Sequence, residues 1–202
     1  DTLLVQTNAT TRSTVVDGGA GNDIITMSSG STGEKAIISV GAGNNTVTLS
    51  VSQETVDLSS GGIDTVQFVD AATVDADVII GFQTGTDKLS FNGLTGITVT
   101  AGVAVDASGA AVVVADDTVV VVSGGAALAS ATTVNAALAT ALTTELTIGN
   151  TEQSIVVYND SASGNAFIYA IDNQAADVTI DAVDITLIGT VTGSNVASGD
   201  IA

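Results

Sequence analysis

The chain has 202 residues, of which 22 are Asp or Glu and only 3 are Lys or Arg, for a formal charge of -19. So acidic a chain has almost nothing with which to neutralise phosphates, which excludes nucleic acid as a partner and disfavours anionic membrane surfaces. Cys and His are absent, which removes disulfides, thiol nucleophiles, His-based triads and zinc sites built on those ligands.

Hydrophobic residues make up 45% and charged ones only 12%, unlike a disordered acidic tail. Ala, Val, Ile and Leu interleave with Thr and Ser, and 22 Gly punctuate them. This composition predicts a mostly β chain of short strands and tight turns. The longest apolar runs, at 110–115 and 119–122, fall far short of the roughly 20 residues of a spanning helix. Aromatics at 3% leave an outer-membrane barrel without its girdles, so no membrane insertion is expected. The start, Asp1-Thr-Leu-Leu-Val, has no basic region, no cleavage site and no initiator Met. A piece of a longer protein is expected.

In chain order, the first candidate elements are short strands around Gly-rich turns. Val47, Leu49 and Val51 alternate with Thr48 and Ser50, and Val66 and Phe68 repeat the pattern. The turns are Asp17-Gly-Gly-Ala-Gly-Asn-Asp23, Gly41-Ala-Gly-Asn-Asn45 and Ser59-Ser-Gly-Gly-Ile-Asp64. Asp23, Asn45 and Asp64 align at separations of 22 and 19 residues, an internal repeat. Farther on, the runs at 110–115 and 118–122 flank Asp116-Asp117, which predicts a hairpin, with the Val runs buried on both faces. In 130–146, Val134, Leu138, Ala141 and Leu142 fall on one helical face, with Thr132 or Thr133 as cap and Gly149 as stop. The segments 155–158, 167–171, 178–180 and 183–188 read as closing strands.

Gly18-Gly-Ala-Gly-Asn-Asp23-Ile-Ile-Thr26 fits the nonapeptide G-G-x-G-x-D-x-U-x at every fixed position. Its glycines allow positive φ, so that backbone carbonyls converge, and the Asp adds a carboxylate. Such an all-oxygen set suits Ca²⁺. A plain Gly-rich turn is the alternative. The motif resembles the RTX family of secreted bacterial proteins, and Asp77-Val-Ile-Ile-Gly-Phe-Gln-Thr-Gly-Thr-Asp87-Lys-Leu-Ser-Phe91 is similar to the segment that follows RTX repeats. The sequence 165–172, the strand at 184–189 and the ending Gly199-Asp-Ile-Ala202 resemble the terminal region of RTX-type surface-layer proteins, which leave through type I secretion machinery.

The resemblance implies a calcium-binding parallel β-roll, or β-solenoid, over 1–95. A β-rich region would follow over 96–202, with one helix near 130–146 and a C-terminal secretion signal. Ca²⁺ ligands would come from Gly18, Ala20, Asn22, Asp23, Gly41, Asn45, Asp64, Asp77 and Asp87; for Asp77 and Asp87 a turn or surface role is the alternative. Ile79, Phe82 and Leu89 would cover the end of the roll. No catalytic residue is expected: there is no His to serve a Ser nucleophile and no G-x-S-x-G elbow. The resulting expectation is a structural protein of the bacterial cell surface that binds calcium and assembles with itself into a lattice. A C-terminal secretion and folding module of a larger exoenzyme or adhesin is the alternative.

Overall fold

Ile25 and Met27, Val47 and Leu49, and Val66 and Phe68 are buried, while Thr26, Thr48 and Gln67 between them are partly exposed. That period-two alternation places one face of each short strand against a core. The computed structural model describes residues 1–7, 13–29, 33–71, 76–95, 97–99, 104–107, 112–114, 117–125, 146–148, 153–173 and 184–202.

The chain shuttles between two parallel sheets. The first carries β1 (Thr2–Thr7), β3 (Ile24–Ser29), β5 (Thr46–Thr48), β7 (Thr65–Gln67) and β9 (Lys88–Ser90), in that order. The second carries β2 (Ser13–Asp17), β4 (Lys35–Ser39), β6 (Gln53–Asp57) and β8 (Asp77–Ile80). One strand from each sheet makes a coil, and about 4 coils stack into a β-solenoid. The mostly β solenoid expected from the sequence is thus the fold observed. Its in-register pairing stacks Ile25, Val47, Val66 and Leu89 in one column. Val16, Ile38, Val56 and Ile79 form another on the second sheet. Both belong to one hydrophobic core, where the Phe68 and Phe91 rings stack with centroids 5.3 Å apart. Ile79, Phe82 and Leu89 are buried in the last coil.

The second sheet continues beyond β8. β16 (Ile185–Thr192) pairs with it in parallel, then come β15 (Asn165–Asp172) and β14 (Gln153–Asp160), both antiparallel to their predecessor, and then β12 (Thr118–Gly125) and β10 (Ala104–Ala107). The tail closes the other sheet: Ile201 bridges Leu89, and the Ala202 N–H donates to the Leu89 carbonyl at 2.9 Å. The region after 95 is therefore hydrogen-bonded to the last coil of the solenoid through both sheets.

Asp116 of the hairpin expected at Asp116-Asp117 lies outside the described residues, and among the described ones the two flanking strands do not pair with each other. β11 (Val112–Val114) pairs with β13 (Leu146–Ile148), and β12 pairs with β10 and β14. The Asp-Asp pair lacks the glycine that two-residue turns favour. Val119, Val120, Val121 and Val122 are all fully buried, which suits the interior of a sheet covered on both faces. The helix expected near 130–146 lies outside the described residues, except for Leu146, which begins β13; the strand expected at 178–180 also lies outside them.

Candidate metal centre

The second-sheet strands return to the first sheet through turns 18–23, 40–45, 58–64 and 81–87, and these turns stack along one edge of the solenoid. Each ends on a buried acid or amide: Asp23, Asn45, Asp64 and Asp87. They form a ladder. Asn45 Oδ1 accepts the Asp23 N–H at 2.9 Å, Asp64 Oδ1 accepts the Asn45 N–H at 2.8 Å, and Asp87 Oδ1 accepts the Asp64 N–H at 3.0 Å. At the top, Asp23 Oδ1 accepts instead from the exposed N-terminal ammonium of Asp1, an ion pair. Neighbouring coils of a parallel sheet stand about 4.8 Å apart, so the ladder brings like charges close together.

The second oxygen of each carboxylate separates the rungs. Asp23 Oδ2 and Asp64 Oδ2 are buried and have no hydrogen-bond partner. Asp87 Oδ2 accepts the Gln83 N–H at 2.8 Å. Burial pushes the Asp64 carboxyl up, against hydrogen bonds from Asn45 that pull it down, and the charge of Asp87 adds to the rise. A buried carboxylate oxygen without a donor is costly, and a proton or a cation removes that cost.

Glycine lets these turns stack. Gly41 has φ +80°, and a Cβ there would fall on the Gly19 carbonyl oxygen. Gly18 lies under the Val40 carbonyl, and a Cβ on it would also stand 3.2 Å from Asp23 Oδ2. Ala20 bridges Ala42 and is exposed. Asn22 is exposed, and its Oδ1 accepts the Asn44 N–H at 2.9 Å, a second ladder on the outside of the turns.

Eight of the nine expected ligand residues therefore lie on this edge: Gly18, Ala20, Asn22, Asp23, Gly41, Asn45, Asp64 and Asp87. Asp77 does not. It opens β8 at the opposite edge, where its Oδ1 accepts the Glu54 N–H at 2.8 Å. Glu54 is fully buried there, taking hydrogen bonds from Ser50 Oγ and Ser52 Oγ. Glu34, also buried, accepts from Thr7 Oγ1 and Ser29 Oγ. These two glutamates are not among the expected ligands. Their signal was the strand alternation: Glu34 keeps phase with Ala36 and Ile38, and Glu54 with Val56 and Leu58, so both point inward. Among the described residues no three acidic side chains converge on one point, so a cation on the Gly-rich edge would draw mainly on backbone carbonyls.

Burial, followed by the charge of Glu54, pushes the Asp77 carboxyl well above the usual range. The folded chain then holds a proton that the unfolded chain has released, so this group's contribution to stability falls as pH rises from about 4 through the raised value. Asp77→Asn keeps an oxygen for the Glu54 N–H and carries no charge. At pH 7 it is expected to exceed the parent in stability, on the order of 1 to 3 kcal/mol, and the gain should shrink toward pH 4. Thermal melts of both proteins between pH 4 and 8 check this; a gain independent of pH would contradict it.

No family model matches the chain, and no curated protein matches it.

Proposed function

We propose that this chain is a calcium-binding β-roll segment of a secreted bacterial surface-layer protein, structural rather than catalytic, which assembles with copies of itself into a two-dimensional lattice on the cell surface. The observation that carries the reading is the pair of buried carboxylate oxygens without donors, Asp23 Oδ2 and Asp64 Oδ2, in a column of stacked glycine turns. The first of those turns holds the complete nonapeptide 18–26. Calcium would supply the positive charge that 3 basic residues cannot, and its flexible coordination suits carbonyl-lined turns. Lattice contacts find support in apolar side chains on the outer face of the second sheet, where Val15 and Ile37 pair in register and both are exposed.

The second reading, a secretion and folding module of a larger exoprotein, has its own supporting observation. Buried Asp200 accepts from Thr84 Oγ1 at 2.7 Å and from the Gly85 N–H at 2.8 Å, which ties the tail to the last turn of the solenoid. Completion of the solenoid and capture of the tail would then be one event. Electron microscopy of the purified chain separates the two. The lattice reading expects sheets in calcium that dissolve in chelator and do not form in sodium chloride of matched ionic strength, because screening supplies no coordination. A monodisperse monomer in every buffer would favour the module.

A further inference from the structure

The rungs of the Asp ladder are not chemically alike. Turns 18–23 and 40–45 have the same length and stack in register, with Ala20 bridged to Ala42. In the first, Asp23 Oδ1 accepts from the N-terminal ammonium of Asp1, and in the second Asn45 Oδ1 accepts the Asp23 N–H, each from the coil above. The other side-chain atom therefore occupies the same position in each coil. In the first coil that atom is an orphaned oxygen, Asp23 Oδ2. In the second it is the amide nitrogen of Asn45, which donates to the Gly41 carbonyl at 3.2 Å, the Gly43 carbonyl at 3.1 Å and Asp64 Oδ1 at 3.0 Å. Three oxygens thus surround one nitrogen, in a residue that is 1% exposed. In the third coil the position reverts to an orphaned oxygen, Asp64 Oδ2, and in the fourth Asp87 Oδ2 meets a peptide N–H.

An oxygen cluster of two carbonyls and a carboxylate has negative potential, and a positive centre must face it. The Asn45 amide provides one from within the chain. It also spaces the charged rungs, since Asp23 and Asp64 are two coils apart with a neutral side chain between them.

We propose that Asn45 is a built-in cation surrogate: its amide fills the oxygen cluster of the second coil, so that the stack takes divalent cations at the Asp23 and Asp64 rungs and none at the Asn45 rung. The selective part rests on the calcium reading above. The middle of the solenoid is then held together without metal, and the metal-dependent rungs lie on either side of it.

The test is calcium stoichiometry, by equilibrium dialysis, of the parent and of Asn45→Asp. The substitution replaces the donor with an oxygen, so the variant is expected to bind one more calcium per chain than the parent and to lose more of its melting temperature in chelator. If the parent binds calcium and the variant binds the same number, the surrogate role is wrong while the calcium reading stands. If the parent binds none and the variant binds one, the surrogate role stands and the calcium reading falls. If neither binds, both fall. Should the variant not fold, the parent alone decides by NMR. The Asn45 side-chain amide protons are expected to be protected from solvent exchange in chelator and in calcium alike, and exchange at the rate of an exposed Asn would overturn the proposal.

Discussion

Millimolar calcium is expected to raise the melting temperature of this chain well above its value in chelator. An ion that binds only the folded state at 100 times its dissociation constant adds about 2.7 kcal/mol. For a domain of this size each kcal/mol moves the melting temperature by about 2–4 °C, so one occupied rung is worth roughly 5–10 °C. The gain has a physical source at Asp23 and Asp64, where a buried oxygen lacks a donor. Asp23→Asn and Asp64→Asn should each lose a share of the calcium gain. In chelator Asp64→Asn should not melt below the parent, because an amide at this rung supplies the donor that Asn45 supplies at its own, whereas Asp23→Asn also gives up its ion pair with the exposed Asp1 ammonium. Were the carboxylates only turn caps, each variant would lose the same amount in both buffers.

Gly41→Ala is expected to open the coil stack, and Gly19→Ala is not. Both glycines have positive φ, +80° and +87°, so each substitution carries the left-handed strain of about 1–2 kcal/mol. Only Gly41 has a neighbour in the way: its new Cβ would overlap the Gly19 carbonyl, whereas a Cβ on Gly19 meets nothing within 4 Å. That carbonyl accepts the Ala42 N–H at 3.0 Å, so moving it breaks one of the backbone hydrogen bonds that join the first two turns. The loss at Gly41 should exceed about 4 kcal/mol, a large part of the stability of an ordinary domain. Urea melts of the two variants measure the difference. Equal losses would mean that backbone strain, and not close stacking, is what demands glycine here.

The solenoid was legible because its signals are local. Gly18, Gly41 and the alternation of Val47 and Leu49 with Thr48 each report a backbone conformation or a buried face within a few residues. The ladder was legible as an alignment of Asp23, Asn45 and Asp64, but not as chemistry. Asn45 reads in sequence as a weakened Asp, and only its three oxygen neighbours show a donor at work. Asp77 and Asp87 belong to one sequence segment, yet the nine residues between them span half a coil and put them on opposite edges. Pairing over long separations left no local mark. β16 joins β8, and Asp200 reaches Thr84 across 116 residues. β12 likewise finds its partners in β10 and β14 rather than in the strand just before it.

A crystal structure grown in calcium decides whether the orphaned carboxylate oxygens are metal ligands. An ion is expected about 2.3–2.6 Å from Asp23 Oδ2 and another at the same distance from Asp64 Oδ2, each completed by backbone carbonyls or water. No ion should stand at Asn45, whose amide nitrogen should keep its contacts to the Gly41 and Gly43 carbonyls. Density showing both carboxylate oxygens hydrogen-bonded to ordered water with no ion beside them, or an ion in place of the Asn45 amide, would contradict it.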